Sequence, residues 1–492
     1  MFQETKVVLS SRQYCRSLLL VFSLIAFGIT SQAQVPLNQI SVDPFTNPSS
    51  QHATEVEPDT FSFGSTIVAV FQQGRFDSGG GSSDNAWATS LDGGVTWTHG
   101  SLPGLTKIEG TGPYDRVSDP AVAFDAAHGV WLIASLPILT SGAPHTAMAI
   151  SRSTDGGLTW NNPVNVTPNV ENSDKTWVAC DNNATSPFFG HCYAEWDDNL
   201  AGDVIFLNTS TDGGLTWGPS KQPAGGPTGL GGMPMAKPNG AVIVPSSDAF
   251  LTSLIAYGSR DGGNTWSSAV TIAFPSTHLI AGGLRDLNLP SAAMDAAGRS
   301  FVVWHDCKFR TNCSSNDIVF STSQDGRTWS PAKRIPIDAV NSTVDHFIPA
   351  IDVEPGTSGA TAHIGLTYYF YPQTNCTVST CRLMEGFISS SDGGKTWTAP
   401  TTLAGPMSLN WLPTTSQGLM VGDFQSLSFA SGGFHPVFAL AKRKVGNVLD
   451  EAMYSPVSGL VEGPARYSSD GEKPVPNAHS DHPPRTTPVR VH

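Results

Sequence analysis

The sequence predicts an all-β fold assembled from repeated antiparallel units, and three observations predict it. The phrase STDGGLTW occurs twice letter for letter, at Ser153–Trp160 and Ser210–Trp217, with relaxed copies along the chain. Gly (49) and Pro (36) are abundant while only 14% of the 492 residues are charged, a composition of short strands and tight turns. No helical periodicity is sustained after residue 34.

From the N-terminus, Lys6, Arg12 and Arg16 precede the apolar run LLLVFSLIAFGI (Leu18–Ile29), which leads into Ser31-Gln32-Ala33. A basic region, a short apolar stretch and a small-x-small site read as a cleavable export signal over residues 1–33, and no later stretch reads as a membrane span. The expected location is therefore secreted or periplasmic. Cys15 falls in that signal, and the other six cysteines form close pairs, Cys180/Cys192, Cys307/Cys313 and Cys376/Cys381. An even count with local pairing predicts three short-range disulfides in an oxidising compartment. A zinc site lacks CxxC spacing and clustered histidines, so no metal ligands are assigned among them.

The formal charge is −14; Lys6, Arg12 and Arg16 against Glu4 give the signal +2, leaving −16 on the mature chain. So acidic a surface excludes a nucleic-acid partner, which needs basic patches. A small anionic ligand on a local arginine cluster stays compatible. The expected state is a monomer with a glycan partner.

The repeat reads S-x-D-x-G-x-x-W. Its other copies are SLDGGVTW (Ser90–Trp97), SRDGGNTW (Ser259–Trp266), SSDGGKTW (Ser390–Trp397) and the shorter SQDGRTW (Ser323–Trp329), with tryptophans 49 to 68 residues apart. The Asp accepts backbone N–H bonds at a turn, Gly supplies positive φ, and Trp buries a ring beside it. A second repeat runs out of phase: EPDTFSFGSTIVAVF (Glu57–Phe71), SDPAVAFDAAHGVWLIAS (Ser118–Ser135) and five further segments to Gly422–Leu440. Each reads as two inner strands around a turn. Repeats of this period build stacked units, here a β-propeller over residues 34–463 with four-stranded blades, seven preferred and six the alternative. A seventh blade would take a third strand from Ala452–Val457 and its last from Gln39–Val42, closing the ring. Residues 464–492, polar and Pro-rich, are expected to be disordered.

The six boxes resemble the Asp-box of the bacterial neuraminidase repeat, found in sialidases and other β-propellers. That resemblance implies that the boxes are structural turns away from the catalytic face, and that the chain is an exo-α-sialidase-type glycoside hydrolase removing a terminal acidic sugar. Retaining members of the family use three arginines on the substrate carboxylate, a Tyr nucleophile paired with Glu, and an Asp acid/base. This chain departs from the family in lacking the early F/Y-R-I-P segment, with Glu57-Pro58-Asp59 in its place. Other glycan-active propellers, exo-glycosidases or polysaccharide lyases, and non-catalytic glycan- or protein-binding propellers are the alternatives.

Ligands in propellers bind where innermost strands begin, and here each beginning carries polar residues. Glu57, Asp119 and Asp286 are the candidate acids, with Tyr369 of the Tyr368/Tyr369/Tyr371 cluster as candidate nucleophile. Arg75, Arg116, Arg285, Lys175, Asp174, His346, Asp423 and Gln425 are the candidate binding residues, arginine gripping a carboxylate bidentately. His305-Asp306 is a further pairing that stands out. The chemistry requires no cofactor; calcium is the one that the Asp-rich loops could take.

Overall fold

The computed structural model describes residues 1–3, 35–140, 145–167, 172–461, 463–464, 467–469 and 472–474. The chain divides into Met1–Gln34 and Val35–His492, and every described strand lies in the second unit. The expected export segment lies outside the described residues except for 1–3.

The strands form successive antiparallel groups, each alternating apolar residues with tight Gly-rich turns. Glu55–Phe63, Thr66–Arg75, Ser82–Ser90 and Thr98–Ser101 make the first. Arg116–Asp125, Val130–Leu139, Ala149–Ser153 and Val164–Asn165 make the next, tied to the first by the pair Ser82–Val117. Ser173–Cys180, Cys192–Asp198 and Val204–Ser210 form the third. Met235–Ala236, Val242–Asp248, Leu254–Ser259 and Val270–Ala273 come after. Then come Ser291–Met294, Ser300–Asp306, Asp317–Ser323 and Lys333–Arg334, and Asp345–Val353, Ile364–Tyr371, Arg382–Ser390 and Thr401–Ser408. In the last group, Ser426–Ala430, Gly433–Ala441 and Glu451–Pro456 take Leu37–Gln39 as a fourth strand, with Leu37 opposite Pro456. The N-terminal strand expected at Gln39–Val42 thus sits two residues earlier and covers an otherwise open edge.

Hydrophobic cores lie between consecutive groups. Val70, Trp87, Val122 and Trp131 fill the first interface, and Ala123, Leu132, Val178 and Trp196 the second. A large core joins Phe347 and Tyr369, Phe434 and Phe438, and Ala69 and Phe71, so the last group packs on both its predecessor and the first.

All six Asp-boxes form one turn. The Ser hydroxyl donates to the Asp carboxylate at 2.8–3.2 Å. In the Ser153 box, the N–H groups of Leu158 and Thr159 and the Thr159 hydroxyl donate to Asp155 at 3.1, 3.0 and 2.6 Å. The shorter Ser323 box keeps the scheme, with Arg327 and Thr328 N–H donating to Asp325 at 2.8 and 2.7 Å. The expected disulfides Cys180–Cys192, Cys307–Cys313 and Cys376–Cys381 are formed.

One segment differs from expectation. Residues 467–469 of the supposedly disordered tail are ordered: Tyr467–Ser468 pairs with Thr396–Trp397, and Ser469 donates to Gly394 O at 2.7 Å. Glu472 meets Arg334 at 3.0 Å. Composition foretold too little apolar surface to pack, but backbone pairing to an Asp-box turn needs none. Residues 475–492 lie outside the described residues.

Candidate functional site

Most first strands of these groups begin with a bulge. Register shifts fall between Val56 and Asp59, Ser118 and Ala121, Asp174 and Trp177, and Phe347 and Pro349. At these points Glu57, Asp119, Lys175 and Ile348 adopt positive φ of 55°, 42°, 47° and 47°, as does Asn288 (46°) before Ser291–Met294. Pro58, Pro120 and Pro349 follow three of them, where a missing N–H does no harm. A bulge with one left-handed residue re-aims its side chain. Here that gathers side chains from separate groups.

The strand starts are also tied to one another. Val122 N donates to Asp59 at 2.8 Å, Lys175 N to Asp119 at 2.9 Å, Asp423 N to Glu57 at 3.2 Å, and Gln425 Nε2 to Ile348 O at 2.7 Å. At the centre lies the Lys175 ammonium, 2.6 Å from Asp423, 3.7 Å from Asp119 and 3.8 Å from Glu57. Arg285 grips Asp423 with two donors, Nε at 2.6 Å and Nη2. Arg75 reaches Gly81 O and, at 3.3 Å, the Met420 sulfur. Glu57, Arg75, Asp119, Lys175, Arg285 and Asp423 are each at most 3% exposed.

Burial and mutual charge shift several of these groups. Burial pushes Glu57 up to about 7, with Lys175 opposing and Asp423 and Asp119 reinforcing the rise. Burial would also raise Asp423, but Arg285 and Lys175 outweigh it and hold its carboxylate far below the usual range. Lys175 stays above its ordinary range because Asp119, Asp423 and Glu57 overcome its desolvation. Burial, with Arg285 adding, brings Arg75 down to about 10. A protonatable carboxyl next to an ionised one is the pattern of an acid with its conjugate partner.

Beside this cluster a cavity of about 20 Å³ is lined by Lys175, Asp286, Asn288, His305, Asp423 and Gln425, with Trp177 and Phe424 as aromatic walls. Those two rings meet edge-on at 5.3 Å. His305 Nε2 lies 3.2 Å from Asp286, so the histidine pairs with Asp286 rather than with its neighbour Asp306. A larger cavity of about 440 Å³ runs along the first strands of all the groups, touching Asp59, Val122, Trp177, Met235, Ser291, Asp352 and Ser426.

The other expected residues lie elsewhere. Arg116 is half-buried over the Phe76 ring at 3.8 Å and donates to Ser78 O and Gly80 O, apart from Arg75 and Arg285. Tyr369 is core: its hydroxyl donates to Ala439 O at 2.8 Å. His346 is buried between Tyr368 (5.4 Å) and Phe370, its Nδ1 3.2 Å from Asn316 O, and desolvation lowers its pKa. Asp174 flanks the cluster and accepts from Lys175 N at 2.8 Å. Asp317, Asp338 and His346 bring ligand-type atoms within 4.8 Å, but Arg310 and Arg334 pair with both aspartates there. Sequence reasoning missed Gln72, which donates to Glu57; a glutamine within the apolar VAVFQQ was its signal.

A family model described as a BNR repeat-like domain matches residues 138–349. A xyloglucanase from Paenibacillus sp. is 29% identical over 226 residues, 42% of this chain and 20% of that protein, so the chain spans about a fifth of that relative. Among solved structures, the NanB sialidase from Streptococcus pneumoniae is similar at 14% identity and a TM-score of 0.43, covering 85% of this chain and 70% of that one. A PL25 ulvan lyase is similar at 11% identity and a TM-score of 0.48, covering 88% and 98%. Residues 138–349 are thus similar to a BNR repeat-like domain, and six Asp-box turns are formed along the chain.

Proposed function

We propose that each antiparallel group is one blade of a seven-bladed propeller, exported and disulfide-bonded. In this reading it acts as a glycoside hydrolase that removes a terminal acidic sugar, of the exo-α-sialidase type, at the mouth where its first strands begin. The observation that carries this reading is the convergence of Glu57, Asp119 and Asp423 on Lys175 and Arg285, with Glu57 raised to about 7 beside an ionised Asp423. Glu57 is then the proton donor to the leaving oxygen, with Asp119 and Asp286 as further carboxylates of the site. Lys175, Arg285 and Arg75 receive the sugar carboxylate, which displaces Asp423 from the cations. Trp177 and Phe424 offer apolar faces to the sugar ring. The likeness to a protein named a xyloglucanase supports glycan as the substrate class.

A second reading, a non-catalytic propeller that binds glycans or proteins, is favoured by the burial of the same six charges. Charges neutralised among themselves can serve to fasten the strand starts together. Release of a fluorogenic leaving group from an α-linked sialoside decides between the two. Turnover that Glu57→Gln lowers about 10²- to 10⁴-fold, in a folded protein, supports the hydrolase. No turnover by folded, disulfide-bonded wild type rejects it, and a glycan array then tests the binding reading.

A further inference from the structure

The small cavity beside Lys175 is lined by polar atoms that the fold leaves without partners. Asn288 Oδ1, Gln425 Oε1 and His305 Nδ1 have no hydrogen-bond partner among the described residues. Their residues are 9%, 3% and 0% exposed, and all three line the cavity. Leaving a buried polar atom unpaired is costly, so three around one space ask for a shared partner. A space of about 20 Å³ holds one water molecule, which bonds with about two to four polar groups.

The same cavity carries a histidine–carboxylate pair. Asp286 accepts from Asn288 N at 3.3 Å through Oδ1, while its Oδ2 lies 3.2 Å from His305 Nε2. A carboxylate at Nε2 keeps the proton on that nitrogen and leaves Nδ1 as the basic one. Lys175 and Asp423 line the cavity too, and both reach Glu57: the ammonium is 3.8 Å from its carboxylate, and Asp423 N donates to it at 3.2 Å. Trp177, Met233, Ser291 and Gln425 line both this cavity and the larger one, so the two adjoin. Among the described residues no tyrosine lines either cavity. Tyr257, whose hydroxyl donates to Glu195 at 2.9 Å, is packed with Tyr193 and Trp266, and Tyr369 lies in its own core.

We propose that the small cavity holds the hydrolytic water, that His305 is its general base with Asp286 as positioning residue, and that cleavage is a single displacement with inversion. This rests on the hydrolase reading above and names its nucleophile. With the sugar in the larger cavity, the water oxygen bonds to the anomeric carbon as the bond to the leaving oxygen breaks. The water proton passes to His305 Nδ1, and the Glu57 proton passes to the leaving oxygen. No covalent intermediate forms, so no tyrosine hydroxyl is needed. The outcome is opposite to the retaining chemistry that the Asp-box resemblance implies.

Proton NMR of the sugar first released from a fluorogenic α-sialoside by the full chain tests the proposal. The expected result is that the β anomer appears first and then mutarotates to equilibrium. In His305→Ala, hydrolysis should fall about 10²- to 10⁴-fold, and azide, a nucleophile that needs no base, should restore turnover as the β-glycosyl azide. The α anomer appearing first overturns the inference and leaves the hydrolase reading standing. So does a folded His305→Ala protein that hydrolyses at the wild-type rate. Absence of turnover by folded, disulfide-bonded wild type rejects both. The wild-type measurement decides the stereochemistry even where the variant fails to fold.

Discussion

Asp423 and Glu57 both face the Lys175 ammonium, yet their replacement should have unequal consequences. Asp423 is ionised and holds Arg285 through two bonds and Lys175 at 2.6 Å. Asp423→Asn leaves two buried cations without their main partner, and breaking such a pair costs about 3–5 kcal/mol. Glu57, raised to about 7, is largely protonated at pH 5, so Glu57→Gln there should change stability by less than about 1 kcal/mol. Urea unfolding of both variants at pH 5 checks this, and equal losses would mean that Glu57 carries a full charge. Most residues of this cluster are legible in the sequence because polar groups precede apolar strands. What the sequence does not carry is the side of the chain each faces. Arg116 follows the Asp77–Gly81 turn outward onto Phe76, while Arg75 turns inward to Met420. Alternation along Ile364–Tyr371 sends Tyr369 into the core against Ala439.

Elements of this protein are fixed locally, by turns and staples, before they are fixed by packing. The Asp-box leaves its mark in the sequence because the Ser hydroxyl that its Asp carboxylate accepts from lies two residues away, so the motif and its geometry coincide at all six sites. Strand ends set by distant partners are less legible. The closing strand forms at Leu37–Gln39 rather than Gln39–Val42 because Ser41 bonds instead to Glu55 and Met453. The short strand at Tyr467 depends on Thr396–Trp397, some seventy residues away. Cys180 and Cys192 face each other at the base of a hairpin turn, Asp181–His191, that is long and polar. Replacing both with alanine should cost about 2–3 kcal/mol, as expected for a loop of this size. The midpoint of denaturant unfolding measures it, and an unchanged midpoint would show that the hairpin is held by its neighbours.

Across the whole molecule, two opposed families of carboxylates shape the dependence of stability on pH. Asp92, Asp155 and Asp325 sit in exposed Asp-boxes where hydrogen bonds, from Thr96, Thr159 and Thr328 first, bring them down to about 2 from 3.8. Their contribution is present above about 4 and is lost as pH falls toward 2. Glu55, Asp59 and Glu195 are buried, and desolvation pushes them up to about 7, 7 and 8 from 4.5, 3.8 and 4.5. These favour the fold fully below about 4, and that stability is lost as pH rises through 7 to 8. The net charge of −14 adds repulsion on the same side. The melting midpoint is therefore expected to peak near pH 5 and to fall on both sides, steeply by pH 8. A midpoint that stays level from pH 5 to 8 would mean that the buried carboxylates ionise at no cost, and that the fold supplies them with partners of its own.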